Sequence, residues 1–308
     1  VEFQPAEEIA GNYPQGLREL DDGGNWDTLA GQPTDDSELA LALARSILQV
    51  GRYDPEAAVR AYAFWYRSNP FDIGGTIHTA LLAATKERIA AGTAAAAARQ
   101  SADRSSQANG ALMRISPLGI WGYARAPEEL AGCARADSQL THPHPVCREV
   151  AAAYVMAIAH AIFRGDGPQA AYEAALAWAR AQGREAAVRQ ALERAPRQPP
   201  ADYQTARRGW VLVAFQNAFC QLLHAPDLEE GVVRTVMAGG DTDTNAAVAG
   251  ALLGAVHGRA AIPLQWRQMV LSCRPIQGLG HVRHPRPRAF WPVDALELAE
   301  RLLLAGSE

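Results

Sequence analysis

Apolar residues recur along this chain at intervals of three and four, while stretches that alternate apolar with polar residues are nearly absent. A repeat near 3.6 is the signature of helices burying one face, and the missing period of two leaves little from which to build a sheet. Leu39, Leu43, Ile47 and Val50 define one face of a helix starting near Thr34 or Asp35, and Gly51 stands where a C-cap glycine belongs. Pro55 opens a second helix over 56–67, with Val59, Tyr62, Ala63 and Tyr66 on one face and Ser68-Asn69-Pro70 ending it. The same texture predicts helices over 77–91, 146–163, 168–182, 185–195, 230–237 and 245–257. Residues 210–223 are apolar almost all round, which predicts a helix in the middle of the molecule. Alanine runs such as 94–98 favour helix further. In 245–257, Gly250 and Gly254 leave a groove for close helix contact, and residues 194–200 read as an exposed loop. The segment through Gly31 reads as irregular. With no repeat, low-complexity tract or linker, residues 1–308 are expected to form a single compact all-α domain.

Bulk properties narrow the function classes. The chain has 308 residues, 48% hydrophobic and 20% charged, with a formal charge of -4 and no sustained basic stripe, so nucleic acid is not an expected partner. Cys133, Cys147, Cys220 and Cys273 are scattered without a Cys-x-x-Cys pair, which fits a reducing cytoplasm. No uninterrupted apolar run reaches the roughly 18 residues of a membrane span, so no integral membrane segment is expected. Val1-Glu2-Phe3-Gln4-Pro5 resembles no signal peptide, and with no initiator Met some natural N-terminal sequence is expected to be missing.

The chemistry is concentrated in two short clusters, Thr34-Asp35-Asp36 and Asp241-Thr242-Asp243-Thr244, each just ahead of a helical stretch. Helix capping accounts for either one alone, since hydroxyls and carboxylates accept hydrogen bonds from the free amides of a helix N-terminus. Adjacent carboxylates exceed what a cap needs, and those after Gly239-Gly240 repel one another unless a cation neutralises them. Carboxylate and hydroxyl oxygens are hard ligands suited to Mg²⁺, Mn²⁺ or Ca²⁺. Neither segment has the ligand spacing of an EF-hand.

Four segments in order, Gln32-Pro33-Thr34-Asp35-Asp36, Asn109-Gly110-Ala111-Leu112-Met113-Arg114, Thr141-His142-Pro143-His144-Pro145 and Gly239-Gly240-Asp241-Thr242-Asp243-Thr244, resemble motifs of the ADP-ribosylglycohydrolase family. The resemblance spans nearly the whole chain. It implies an all-α orthogonal helical bundle around a central dimetal cleft, in which two divalent cations, Mg²⁺ or Mn²⁺, are held by Thr34, Asp35, Asp36, Asp241, Asp243 and Thr244. The resemblance also implies a family helix ahead of Val1, which this sequence is expected to lack.

By the same resemblance Glu2 matches a mobile acidic flap residue and Asp72 an acid lining the cleft, so Glu2, Asp72 and Asp241 are the candidate catalytic residues. Read alone, Glu2 is a solvated terminal acid and Asp72, after Pro70, a turn residue. Residues 105–110, with Ser106, Gln107, Asn109 and Gly110, resemble the segment that holds a substrate pyrophosphate through backbone amides, although Asn109-Gly110 alone is a turn signal. His142 and His144 resemble cleft-wall residues near the ribose or adenine; with Cys147 nearby they raise zinc, but no second Cys/His pair completes a tetrahedral set. Trp210 matches a position that presents an aromatic ring to substrate, or else packs a buried helix.

The implied activity is hydrolysis of the ribosyl C1 glycosidic bond of ADP-ribosylated protein, with arginine as acceptor because the chain most resembles the arginine-directed bacterial branch. ADP-ribosylated protein or ADP-ribose is the expected partner, and the chain is expected to be a monomer. Two alternatives stand beside it: a catalytically silent ADP-ribose-binding or crystallin-like structural protein, and a dimetal phosphohydrolase cutting the pyrophosphate. Intact acidic clusters argue against the silent protein, and the product separates ADP-ribose release from AMP release.

Overall fold

The computed structural model describes residues 1–182 and 184–307. Among these residues there are sixteen α-helices and no strand, and extended backbone pairs only in the isolated bridges Gly23 with Thr28 and Ala108 with Trp210.

Helix Pro145–Arg164 is the axis of the core. Pro145 presets its first turn, the His144 ring accepts from the Val146 amide, and Gly165 closes it with a left-handed φ of 68°. Val150, Ala151, Ala152, Val155 and Ala157 are fully buried between helices Pro127–Thr141, Pro168–Gln182, Ser116–Trp121 and Thr242–His257. Alanine on so many faces lets neighbours approach. At Gly119 a side chain would meet Ile158 Cγ2 at 2.7 Å, so the crossing needs glycine there. With 20 residues and a mean hydropathy of 1.5, Pro145–Arg164 is long and apolar enough to cross a bilayer, but 72% of that stretch is buried inside the fold. Its apolarity is that of a core helix.

Helix Asp35–Val50 forms where its periodicity predicts, with Leu39, Leu43 and Ile47 fully buried and Gly51 at φ 77° accepting the C-cap role. Burying each of those side chains stabilises the fold by roughly 1.5–3 kcal/mol. Helix Pro55–Tyr66 is capped by Asp54, whose carboxylate accepts from the Ala57 amide. Helix Val211–His224 is buried along most of its length, as its composition predicts.

Three local expectations are corrected. Residues 77–91 do not form one helix; Gly75–Leu82 and Lys86–Ala90 are separated by a turn, because the Thr85 hydroxyl caps the Arg88 amide and restarts the helix. The irregular opening contains helix Ala6–Asn12. Gly250 and Gly254 do face helix Leu228–Met237, but a methyl group at either would sit at 3.6 Å from Val232 or 4.0 Å from Leu228, ordinary contact that does not demand glycine.

One hydrophobic core runs continuously from Leu39 to Leu302. A buried ion pair fixes how the chain closes over it: Arg286 Nε and Nη2 donate to the two carboxylate oxygens of Glu38 at 2.8 Å each, and Trp65 Nε1 donates to Oε2 at 2.7 Å. Glu38 is three residues beyond Asp35, so the loop carrying Arg286 clamps the turn that presents the first acidic cluster.

Candidate functional site

The N-termini of helices Asp35–Val50 and Thr242–His257 meet, and their acidic residues meet with them. Thr34 Oγ1 lies 2.9 Å from Asp36 Oδ2 and 3.4 Å from Asp243 Oδ2, across 209 positions of sequence in the second case. Neither Thr34 nor Asp241, the two N-cap residues, makes a side-chain capping bond. The capping explanation therefore does not account for the clusters, whereas Asp54 and Asp227 elsewhere do cap with their carboxylates.

The second cluster is placed by glycines. Gly239 and Gly240 both have φ of 76°, and a side chain on Gly240 would run into the Tyr203 carbonyl oxygen. The Gly240 amide donates to Gln4 O at 3.1 Å and its carbonyl accepts from Phe3 N at 2.7 Å. That two-bond bracket holds the N-terminal segment against the turn and directs Glu2 toward the carboxylates. Glu2, Asp72 and Asp243 each place an oxygen within 4.8 Å of the others.

These groups line a cavity of about 160 Å³ whose wall includes Glu2, Asp35, Asp72, Asn109, His142 and Asp241. Burial and mutual repulsion govern its electrostatics. Burial raises Glu2 to about 7 against a hydrogen bond from Trp26, with Asp72 and Asp241 adding to the rise. Burial and the Asp241 charge raise Asp36 to about 7 against the hydroxyls of Thr34 and Thr244. Asp35 and Asp243 lie well above the carboxylate range, by burial and then by the charge of Asp36. Asp72 is raised by burial and Asp241, and Asp241 by burial against the amide of Asn109. No Lys or Arg forms an ion pair with any of the six among the described residues.

The donor set fits a hard cation. Asp36 Oδ1 and Asp243 Oδ1 are buried with no hydrogen-bond partner, an arrangement costly for carboxylates unless something positive meets them.

Not every residue singled out in the sequence comes to this cavity. Asn109 and Gly110 do: Asn109 Nδ2 donates to Asp241 Oδ2 at 2.7 Å, and a side chain at Gly110 would meet His142 Cε1 at 3.0 Å. The Asn109 amide is already committed to Gly209 O at 3.1 Å. Ser106 Oγ pairs with Thr76 Oγ1 at 2.9 Å, and Gln107 Oε1 accepts from Trp210 Nε1 at 3.0 Å; neither lines the cavity, nor does Trp210, whose ring lies 4.9 Å from the Arg207 guanidinium. His144 is spent on capping, and Cys147 Sγ faces backbone oxygens at 3.7 Å, so no zinc set assembles there. His142 is buried in the wall; the Thr141 hydroxyl lies 2.8 Å from its Nδ1 and itself accepts from Arg114 Nη1 at 3.0 Å. Burial and the nearby Arg114 charge lower His142 to about 3, so its ring is neutral.

Trp26 is a site residue the sequence did not reveal. Its indole N–H donates to Glu2 Oε2 at 2.9 Å. It stands in an irregular loop, where no periodicity marks a functional side chain.

The profile of the ADP-ribosylglycohydrolase family matches residues 1–305. The chain is 29% identical over 267 residues to the ADP-ribosyl-[dinitrogen reductase] glycohydrolase of Rhodospirillum rubrum, covering 86% of this chain and 82% of the relative. It is 25% identical over 293 residues to an ADP-ribosylarginine hydrolase of Pseudomonas putida, covering 91% and 73%. A solved structure described as an ADP-ribosylglycohydrolase-related protein complex superposes with a TM-score of 0.72 at 27% identity, over 94% of this chain and 88% of that one.

Proposed function

The chain belongs to the ADP-ribosylglycohydrolase family, and from that premise we propose that it hydrolyses the bond between ribosyl C1 and an arginine side chain of ADP-ribosylated protein, releasing ADP-ribose. The relatives named for ADP-ribosyl hydrolysis, one of them arginine-directed, support this reading. The observation that carries it is the pair of buried, partnerless oxygens, Asp36 Oδ1 and Asp243 Oδ1, on two acidic clusters far apart in sequence that the Thr34 hydroxyl links.

Thr34, Asp35, Asp36, Asp241, Asp243 and Thr244 would hold two divalent cations, Mg²⁺ or Mn²⁺, which when bound orient a vicinal diol and acidify water. The chain's own groups do the rest. Cleavage breaks the C1–N bond, forms a C1–O bond from water, and passes one water proton to the departing guanidine. Glu2, with its other side held by Trp26, and Asp72 are the acids placed to manage that proton. Asn109 fixes the rotamer of Asp241. Neutral His142 and Gly110 form a close uncharged wall, which suits a sugar and repels no cation. The continuous core supports reading residues 1–308 as one domain.

The test is product analysis. Protein supplied with Mn²⁺ should release ADP-ribose from an ADP-ribosyl-arginine substrate, and Asp241→Asn should lose most of that activity. AMP as product would replace the reading with a phosphohydrolase, and bound ADP-ribose without turnover would replace it with a silent binding protein.

A further inference from the structure

Buried polar side-chain atoms without a hydrogen-bond partner mark the acidic clusters, at Asp36 and Asp243, and gather again around a second cavity, where Arg125 Nε, His160 Nε2 and Trp178 Nε1 are all stranded. This cavity has a volume of about 600 Å³ and shares no lining residue with the acidic one. Along helix Pro145–Arg164, His160 stands about 22 Å from the end that follows His142 and His144. Two helix faces and one connecting segment build the cavity. Met156, Ala159, His160 and Phe163 recur at the spacing of a single face of Pro145–Arg164, as Ala174, Ala177, Trp178 and Ala181 do on Pro168–Gln182. The segment from Gly122 to Leu130 supplies the third side, and the alanine side chains are too short to fill the space between.

What these groups can hold follows from their chemistry. A guanidinium and an indole N–H donate and never accept, so the partner missing at Arg125 and Trp178 is an acceptor; His160 donates or accepts by tautomer. The Trp121 ring lies 4.6 Å from Arg125 Cζ and takes one face of the guanidinium, which leaves its other face and its N–H edge for a ligand. The nearest acids do not answer these donors. Glu129 Oε1 is 3.9 Å from Arg125 Nη1 and Asp166 Oδ2 is 3.7 Å from His160 Nε2, both on exposed side chains and beyond hydrogen-bond reach. Among the lining residues Arg125 and Arg164 are positive and Glu128 is negative, one net positive charge with His160 neutral, which suits a single carboxylate and not a polyphosphate. We infer that this cavity binds a small organic monocarboxylate, its apolar body against Met156, Phe163 and the alanines and its carboxylate on the donors of Arg125 and Trp178. Apolar walls, a few placed polar groups and a volume of some hundreds of Å³ are the ordinary make-up of a small-molecule site. The hydrolase reading uses none of these residues.

Calorimetric titration of 2-naphthoate into the full chain tests this, beside 2-naphthylmethanol, which has the same rings and no charge. The wild type should bind one 2-naphthoate per chain saturably, and the alcohol about tenfold more weakly or worse. Arg125→Met keeps an apolar stem but removes the charged donors; it should weaken 2-naphthoate roughly 10- to 100-fold, the range of a hydrogen bond to a charged group, and leave the alcohol nearly unchanged. Should Arg125→Met not fold, Trp178→Phe removes the indole N–H and is read in the same way, with a severalfold loss for the acid alone. Ala177→Leu, at an exposed position on the wall, fills the space and should weaken both probes. Asp241→Asn should bind 2-naphthoate as the wild type does, because the acidic cavity is separate. Equal affinity for acid and alcohol would reduce the site to apolar adhesion and overturn the inference. So would the absence of saturable binding, affinity that survives Arg125→Met and Trp178→Phe, or a loss in Asp241→Asn, which would put the probe among the metal-binding acids instead.

Discussion

Asn109 Nδ2 donates to Asp241 Oδ2 at 2.7 Å, joining positions 132 residues apart inside the protein. The bond orients one carboxylate of the second acidic cluster, and the Asn109 backbone amide is separately tied to Gly209 O.

Asn109→Ala therefore releases Asp241 without touching the acids themselves. Removing a partner that orients a metal-binding side chain costs about 10- to 100-fold in metal affinity or activity. Mn²⁺ affinity and ADP-ribose release should both fall in that range, with the melting temperature little changed. Wild-type Mn²⁺ affinity in the variant would show that the contact is incidental.

Glu38 and Arg286 predict a stability effect. Both are nearly inaccessible, and Glu38→Ala strands a buried guanidinium. Chemical denaturation should show a loss of about 3–5 kcal/mol. Pairing Glu38→Leu with Arg286→Met should recover much of it, because no charge is then left unpaired in the interior. A single variant within experimental error of the wild type would contradict the clamp.

His142 predicts a pH effect of definite sign. Its folded value is about 3, below the ordinary 6.5, so as pH falls through 6.5 the unfolded chain takes up a proton that the folded protein refuses. The stabilising contribution is present above the ordinary value and is lost as pH falls toward the folded one. The buried carboxylates shift stability the opposite way, so the comparison must be with His142→Gln. Between about pH 7 and about pH 4 the wild type should lose melting temperature relative to that variant. Parallel curves would mean that the imidazole is solvated.

Much of this was legible in the sequence, for identifiable reasons. Leu39, Leu43 and Ile47 specify their helix because burial and period agree, and the acidic clusters stand out because adjacent carboxylates have few inexpensive uses. What local pattern cannot carry is pairing across the chain. Nothing local marks Glu38; its role comes from Arg286, far along the chain, closing on it. Trp26 gained its meaning only from Glu2 and Phe71. His144 and Trp210, matched by resemblance to cleft positions, have partners that no local pattern announces: the His144 ring accepts from the Val146 amide, and Trp210 Nε1 donates to Gln107. The break at Thr85 was visible as a hydroxyl ahead of Lys86-Glu87-Arg88, but the apolar period running through 77–91 outweighed it.

The central claim is that Asp35, Asp36, Asp241 and Asp243 are ligands for divalent cations, whose charge would offset the burial and mutual repulsion that raise these carboxyls. Calorimetric titration of Mn²⁺ into metal-free protein, beside Asp36→Asn, tests it most directly. The account predicts saturable uptake of two ions by the wild type and much weaker uptake by the variant; no uptake, or the same uptake by both, would contradict it.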